Sequence, residues 1–322
     1  MDEFQFIKSI KQKTYHQHSL IKGIGDDAAV FRDTTHDIVT AVDTFVDKIH
    51  FSKQTTQPFH IGYRALAANI SDMAAMGAIP KFYLVSIVIP KNVGEKSLQS
   101  IFTGMRKIAS LYKMDLIGGD TVSGSVLTIS ITIIGYVPKG KARYRSDAKD
   151  KDVVFVTGTL GDSRAGLHIL MNNIDASFTH YFIKKHQMPT PRVTFAESLR
   201  PLKRVSLNDV SDGIANELKE IAEASKVTIM IKDQEIPVSE HFSQFSRTQQ
   251  NEWKYFGGED FELVGTVPKQ DWPIVKENAK KLMLRISKIG YVTYNEQLNG
   301  QVYVKKNNKI KLLNTFGYIH LK

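Results

Sequence analysis

Nine acidic residues of this chain stand out, eight beside glycines or apolar runs and Asp72 inside one: Asp26, Asp27, Asp43, Asp72, Asp120, Asp209, Asp212, Glu259 and Asp260. Each alone has an ordinary explanation as a turn or cap residue. Carboxylates gathered in one place repel one another and hold protons unless cations intervene. An all-oxygen set without cysteine or paired histidines favours Mg²⁺ or Ca²⁺ over zinc. Mg²⁺ keeps part of its water shell and commonly bridges a few carboxylates to substrate phosphates. One divalent ion cannot neutralise several carboxylates and a nucleotide's phosphates together. The chemistry expected of the set is phosphoryl transfer at a multi-metal site.

Asp72 has the least room for a bland role. It lies in RALAANISDMAAMGAIP, residues 64–80, where Ala65, Ala68, Asn69, Ala75 and Met76 share its helical face. Leu66, Ile70, Met73 and Ala74 cover the other side. A helix apolar nearly all round is buried, and an isolated buried carboxylate is too costly to keep. Asp72 must bridge something locally or bind a metal or ligand, and its setting favours the second. The alanines and Gly77 let neighbouring backbones come close.

The other carboxylates need elements to carry them. An amphipathic helix over 4–20 precedes Gly23-Ile-Gly-Asp-Asp27, which either presents two carboxylates from a tight turn or forms a plain polar hairpin. A strand over 37–42 leaves Asp43 at its C-terminal end, a usual place for a ligand, with Asp47, His50 and Phe51 on the next loop. His50 by itself reads first as structural. Strand 83–89, helix 97–112, a short strand ending at Gly118-Gly119-Asp120, and strand 127–137 follow. The basic, turn-rich segment 139–152, with Arg143, Arg145 and Ser146, marks a boundary.

A second unit opens with strand 153–157 and the glycine loop 158–163. A helix N-terminus there could hold an anion. The GK[ST] ending of a Walker motif is missing, however, and plain strand-to-helix turn chemistry is preferred. Met188-Pro-Thr-Pro-Arg192 is a stiff connector. Asp209 and Asp212 flank a helix with apolar face Ile214, Leu218, Ile221 and Ala222, so one of them could cap it. Strand 227–231, strand 261–267 after Gly257-Gly258-Glu259-Asp260, helix 271–282 and a hairpin about Asn307-Asn308 complete an α/β pattern.

At 322 residues the chain can support two cores, and 42% hydrophobic with 24% charged residues is ordinary for a soluble globular protein. Without cysteine there is no disulfide, thiol nucleophile or Cys-ligated metal. The N-terminus lacks a signal pattern and no apolar run spans a bilayer, so a cytoplasmic protein without a membrane partner is expected. The net charge of +10 comes from scattered lysines without aromatic interleaving, which argues against nucleic acid.

In order and spacing, GIGDDAA, VDTFVDKIHF, ALAANISDMAAMGA, LIGGDT, RSDA, VTGTLGDSRAGL, PTPR, DVSDG and GGEDFEL together resemble the thiamine-monophosphate kinases of the aminoimidazole ribonucleotide synthetase superfamily. The resemblance runs from about Phe4 to Tyr318. It implies a two-domain α/β, PurM-like fold. A mixed-sheet domain over 1–145 would bind ATP and Mg²⁺ and form the core of a homodimer, and an α/β domain over 146–322 would complete the substrate site. It implies direct transfer of the ATP γ-phosphoryl to thiamine monophosphate.

By matching motif, Asp27, Asp43, Asp72, Asp120, Asp209 and Asp212 resemble the family's Mg²⁺ ligands. Tyr112, Gly119, Asp120, Arg145 and Ser211 resemble its nucleotide contacts, and His50, Glu259 and Tyr318 its contacts to thiamine phosphate. Asp72, Asp120 and Arg145 would carry catalysis, and Asp26 would orient its turn. A phosphate acceptor is already ionised, so positioning and charge neutralisation suffice without a strong general base.

The chain departs from the family at Ala41 and Val42, where Ser or Thr is usual, in the run Arg145–Asp152, which lacks the usual glycines, and at Ile319 and Leu321. Selenophosphate synthetases and the hydrogenase-maturation dehydratase need Cys or selenocysteine chemistry, which this chain lacks. Aminoimidazole ribonucleotide synthetase and a non-catalytic nucleotide-binding scaffold are the remaining alternatives.

Overall fold

The computed structural model describes residues 20–22, 26–32, 35–175 and 178–314. The helix expected over 4–20 lies outside these residues except for Leu20, which is strand. Two mixed sheets form the frame. The first contains β1 (Leu20–Lys22), β2 (Ala29–Arg32), β3 (His36–Val46), β4 (Ile79–Ile89), β5 (Asp115–Ser123) and β6 (Thr128–Pro138), ordered β1-β2-β3-β6-β4-β5. Only the β4–β5 pair is parallel. Strand β6 alternates strictly between buried and half-buried residues, the mark of a sheet covered on one face. Its Ile129, Ile131 and Ile133 join Val39, Ala41 and Phe45 of β3 and Val85 and Ile87 of β4 in one core.

Helices α1 (Pro58–Ala75) and α2 (Glu95–Leu111) pack on this core. Pro58 starts α1 where a missing N–H costs nothing, and Gly77, at φ +69°, turns the chain after its end. The helix is apolar all round because it lies between the first sheet, α2 and the second unit. It meets α2 through glycines: a Cβ on Gly62 would stand 1.8 Å from the Ile101 carbonyl oxygen, and one on Gly104 1.8 Å from that of Phe59.

The second sheet contains β7 (Val153–Thr157), β8 (Ser206–Asp209), β9 (Thr228–Lys232), β10 (Leu263–Val267), β11 (Ile286–Thr293), β12 (Val302–Lys306) and β13 (Lys309–Leu312), ordered β13-β12-β9-β11-β7-β10-β8. Helices α3 (Asp162–Asn172), α4 (Thr179–Gln187), α5 (Val193–Ser198), α6 (Ile214–Ser225), α7 (Arg247–Phe256) and α8 (Trp272–Lys281) surround it. Strand β7 is buried on both faces. Val154 and Val156 enter a core with Ile214, Leu218 and Ile221 of α6. Val153 and Phe155 enter the core shared with α1, Phe195, Leu207 and Val275. The apolar core therefore continues from one sheet to the other. No helix among the described residues is long and apolar enough to cross a membrane.

Two sequence expectations change. Strand β3 runs on to Val46 and β5 on to Ser123, so Asp43 and Asp120 stand within strands rather than at their ends. The ladders with β6 and β4 carry both strands past their carboxylates. Strands β2, β8 and β11 and helices α4 and α7 are additional to the expected elements, although Ser246 and Gln249 form a capping box at the start of α7.

Candidate active site

Asp27 on the turn before β2, Asp43 on β3, Asp72 in the last turn of α1 and Asp209 at the end of β8 form one acidic cluster. One carboxylate oxygen from each of Asp27, Asp72 and Asp209 lies within 4.8 Å of the other two. Burial raises Asp72 well above the ordinary aspartate range, and Asp43, Asp209 and Asp27 raise it further. Asp27 is also raised well above that range by burial and by Asp209, which together outweigh the pull of Arg145. Burial and the neighbouring Asp27 push Asp43 up to about 6. Asp209 is likewise pushed up to about 6, by burial first and by Asp43 and Asp212. The Asp27 Oδ2 atom is buried with no hydrogen-bond partner. Carboxylates held this close against their own repulsion, with an orphaned oxygen among them, fit a divalent cation with all-oxygen ligation.

Arg145 closes one side of the cluster. Its Nη2 donates to Asp27 Oδ1 at 2.7 Å and Asn208 Oδ1 at 3.1 Å, and pairs with Glu220 at 3.1 Å. Burial would lower its pKa, but Asp27, Glu220 and Glu217 hold it raised and fully charged. The Arg145 N–H donates to Asp26 Oδ1 at 3.1 Å, and Lys22 pairs with Asp26 at 2.7 Å. Asp26 thus ties its turn to Arg145. The Arg145 carbonyl accepts from the hydroxyls of Ser206 and Ser225 at 3.1 and 2.7 Å.

The loop after Asp209 is organised by Glu217, which burial and Glu220 raise well above the ordinary glutamate range. Its Oε1 accepts from the Asp212 N–H at 2.9 Å and the Ser211 hydroxyl at 3.4 Å, and its Oε2 from the Asn208 amide at 2.6 Å. Glu217 therefore connects Ser211 and Asp212, through Asn208, to Arg145. Gly213, at φ +103°, is the N-cap of α6, and no side chain caps that helix. Neither Asp209 nor Asp212 is its cap, because the left-handed glycine turn occupies that position.

A second group adjoins the loop. Glu259, at φ +64°, donates its N–H to the Ser211 carbonyl at 2.7 Å and pairs with Arg64. Buried His186 stands 4.0 Å from the Glu259 carboxylate. Burial, with Arg64 and Arg164, lowers the His186 pKa well below the ordinary value, so its ring is neutral. His50 accepts the Val46 N–H on Nδ1 at 3.1 Å, and its carbonyl accepts from Arg64 Nη1 at 3.0 Å.

The N-terminus of α3 already holds a carboxyl group from this chain. Asp260 accepts the N–H groups of Gly161 at 2.6 Å and Ser163 at 3.0 Å. Tyr112 donates its hydroxyl to the Pro191 carbonyl at 2.9 Å, and burial pushes it up to about 12. Tyr112 thus braces the connector before Arg192, whose guanidinium pairs with the buried Glu262.

Gly119 and Asp120 lie on β5, three strands across the first sheet from Asp43. Asp43 is in register with Ile131, Val85 and Gly119, whereas Asp120 is in register with Ser86, Ser130 and Thr44. Alternate rows of a pleated sheet face opposite ways. The Asp43 row faces α1, and the row of Asp120 faces outward with exposed Ser86 and Thr44. A Cβ on Gly119 would stand 1.9 Å from the Val85 carbonyl oxygen, so β5 lies too close to β4 for any side chain there. Tyr318 lies outside the described residues.

Arg64, Asn208, Glu217 and Glu262 join the site network without having been singled out from the sequence. Arg64 carried a usable signal, because it is as anomalous on an apolar helix as Asp72. Glu217 carried none, since it occupies an ordinary polar position of an amphipathic helix.

Comparison with known proteins agrees with this architecture. The family model of AIR synthase related protein, N-terminal domain, matches residues 25–137, and that of its C-terminal domain matches residues 149–302. The thiamine-monophosphate kinase of Bacillus subtilis (strain 168) is 45% identical over 329 residues, covering 100% of both chains. That of Escherichia coli (strain K12) is 36% identical over 303 residues, 92% of this chain and 91% of the relative. The solved structure of AaThiL complexed with AMPPCP and TMP has a TM-score of 0.86 and 28% identity, covering 99% of this chain and 97% of that one. With full-length identity at this level and both domain models matched in order, the chain belongs to the thiamine-monophosphate kinase family.

Proposed function

We propose that the chain phosphorylates thiamine monophosphate to thiamine diphosphate by direct in-line transfer of the ATP γ-phosphoryl group. The observation that carries this reading is the convergence of Asp27, Asp72 and Asp209 beside Arg145, in a chain 45% identical along its whole length to a named thiamine-monophosphate kinase. Asp27, Asp43, Asp72, Asp209 and Asp212 would hold Mg²⁺; Asp120 is a ligand by motif alone, since its row of the first sheet faces away from this cluster. A divalent cation held there would supply positive charge that offsets the charge of the transferring group. Arg145 adds a fixed positive charge whose pairing with Asp27 and Glu220 aims it at the cluster.

Ser211, Gly119 and Tyr112 belong to the nucleotide side of this reading, and His50, Glu259 and Tyr318 to the acceptor side. The acceptor phosphate is ionised at neutral pH, so no side chain need remove a proton. The protein's task is to hold two anions in line. The division near residue 145, a cytoplasmic setting and a homodimer complete the reading. Support for the dimer comes from β5, an edge strand exposed throughout, with Leu116, Ile117 and Val122 open to solvent. Such an edge pairs readily with another chain.

The test is an ATP and Mg²⁺ assay offering thiamine, thiamine monophosphate and an aminoimidazole ribonucleotide precursor separately. Thiamine diphosphate should form from the monophosphate alone. Inversion at a chiral γ-phosphorus is expected, and retention would refute direct transfer.

A further inference from the structure

Arg64 stands on α1 eight residues before Asp72, a rise of roughly 12 Å along the helix. It is 1% exposed, and its guanidinium spans two segments that the chain brings from different units. Nη1 donates to the His50 carbonyl at 3.0 Å, while Nη2 pairs with Glu259. The guanidinium carbon also lies 5.8 Å from the centre of the Phe45 ring, which itself stands 5.2 Å from the His50 ring. One side chain thus holds the His50 backbone directly, the Phe45 ring that packs on His50, and the Glu259 carboxylate.

Glu259 needs such support. Its φ of +64° is a conformation that L-residues adopt only when their surroundings impose it. Its N–H is fixed by the Ser211 carbonyl and its carboxylate by Arg64. A planar guanidinium can make two divergent contacts at once from a buried position, whereas a lysine ammonium acts as a single point charge on a flexible stem.

We propose that Arg64 is the positioning residue for the phosphate acceptor, setting the separation and orientation of His50 and Glu259. This rests on the assignment of those two residues to the acceptor under the proposed function. Its hydrogen-bond and ion-pair partners are His50 and Glu259, so its loss should fall on the acceptor and leave the nucleotide side intact. Small displacements of positioning groups cost up to about 100-fold in related settings.

The test is steady-state kinetics on the full chain with ATP and Mg²⁺, comparing wild type, Arg64→Lys, Glu259→Gln and the double variant. Arg64→Lys should raise KM for thiamine monophosphate about tenfold or more, with KM for ATP within about twofold of wild type. In the Glu259→Gln background the same change should have under half that effect on a logarithmic scale, because both act through one contact. Equal losses toward both substrates, an unchanged acceptor KM, or additive effects would overturn the proposal. Should Arg64→Lys melt below the assay temperature, Arg64→Gln is read by the same pair of KM values. A wild-type enzyme that forms no thiamine diphosphate removes the functional reading and this proposal together. An active wild type with an unaffected Arg64→Lys removes this proposal alone.

Discussion

At Asp72 activity and stability pull in opposite directions. Its carboxylate sits among Asp27, Asp43 and Asp209, all of them raised by burial and mutual repulsion. Asp72→Asn keeps the shape and removes one negative charge. Under the proposed reaction, kcat should fall by about two to three orders of magnitude, the scale of losing one preorganised electrostatic group. In EDTA the same variant should melt higher by about 1–2 °C, the shift expected for roughly 1 kcal/mol in a chain of 322 residues. Kinetics and thermal denaturation of the two proteins check both halves. An active variant, or one that melts lower, would make Asp72 a structural residue.

Asp72, Asp27 and Asp209 could be read from the sequence because glycines and apolar runs isolate them. Arg64 is as anomalous on its helix as Asp72, but its role, like that of Glu217, shows only in its partners. Their importance lies in a partner far along the chain, Glu259, for Arg64, and in an amide and a loop N–H for Glu217.

Among the elements, α1 carries the most constraint. Its alanine-rich sequence correctly predicted burial, and the reason appears only in three dimensions: neighbours enclose it on every side. The glycine contact with α2 makes the packing unforgiving. Gly104→Ala would place a methyl 1.8 Å from the Phe59 carbonyl oxygen, a backbone atom that no rotamer change can move. We expect a loss of about 1–3 kcal/mol, measured by urea or thermal unfolding, as for other overpacked cores. Unchanged stability would mean that the two helices are free to separate. The strands that carry Asp43 and Asp120 show the converse limit of sequence reading. The apolar signal of a strand fades where polar residues line an open sheet face, so Thr44 on β3 and Asp120, Thr121 and Ser123 on β5 concealed the continuation of those two strands.

For the whole molecule, the acidic cluster couples folding to pH. Asp43 and Asp209 titrate at about 6 in the fold, against an ordinary value of 3.8. Between those values the folded chain holds protons that the unfolded chain has released, so metal-free stability falls as pH rises through this window. Asp27 and Asp72, also raised well above the ordinary range, act in the same direction. A bound divalent cation requires the deprotonated carboxylates, so its stabilising effect grows as pH rises. Thermal denaturation from about pH 5 to 8, with EDTA or with Mg²⁺, should show two curves that diverge toward alkaline pH. Parallel curves would disconnect the cluster from metal binding.

The core that runs through β7, Phe195 and α1 also bears on how this chain can be recombined. Two sheets joined by a short basic segment look like interchangeable modules. Yet α1 finds part of its cover on β8 and α5, on the far side of that segment. A chimera that took one half from a relative would inherit an interface cut through its interior. The two halves are bound to vary together, and the unit of exchange is the entire chain.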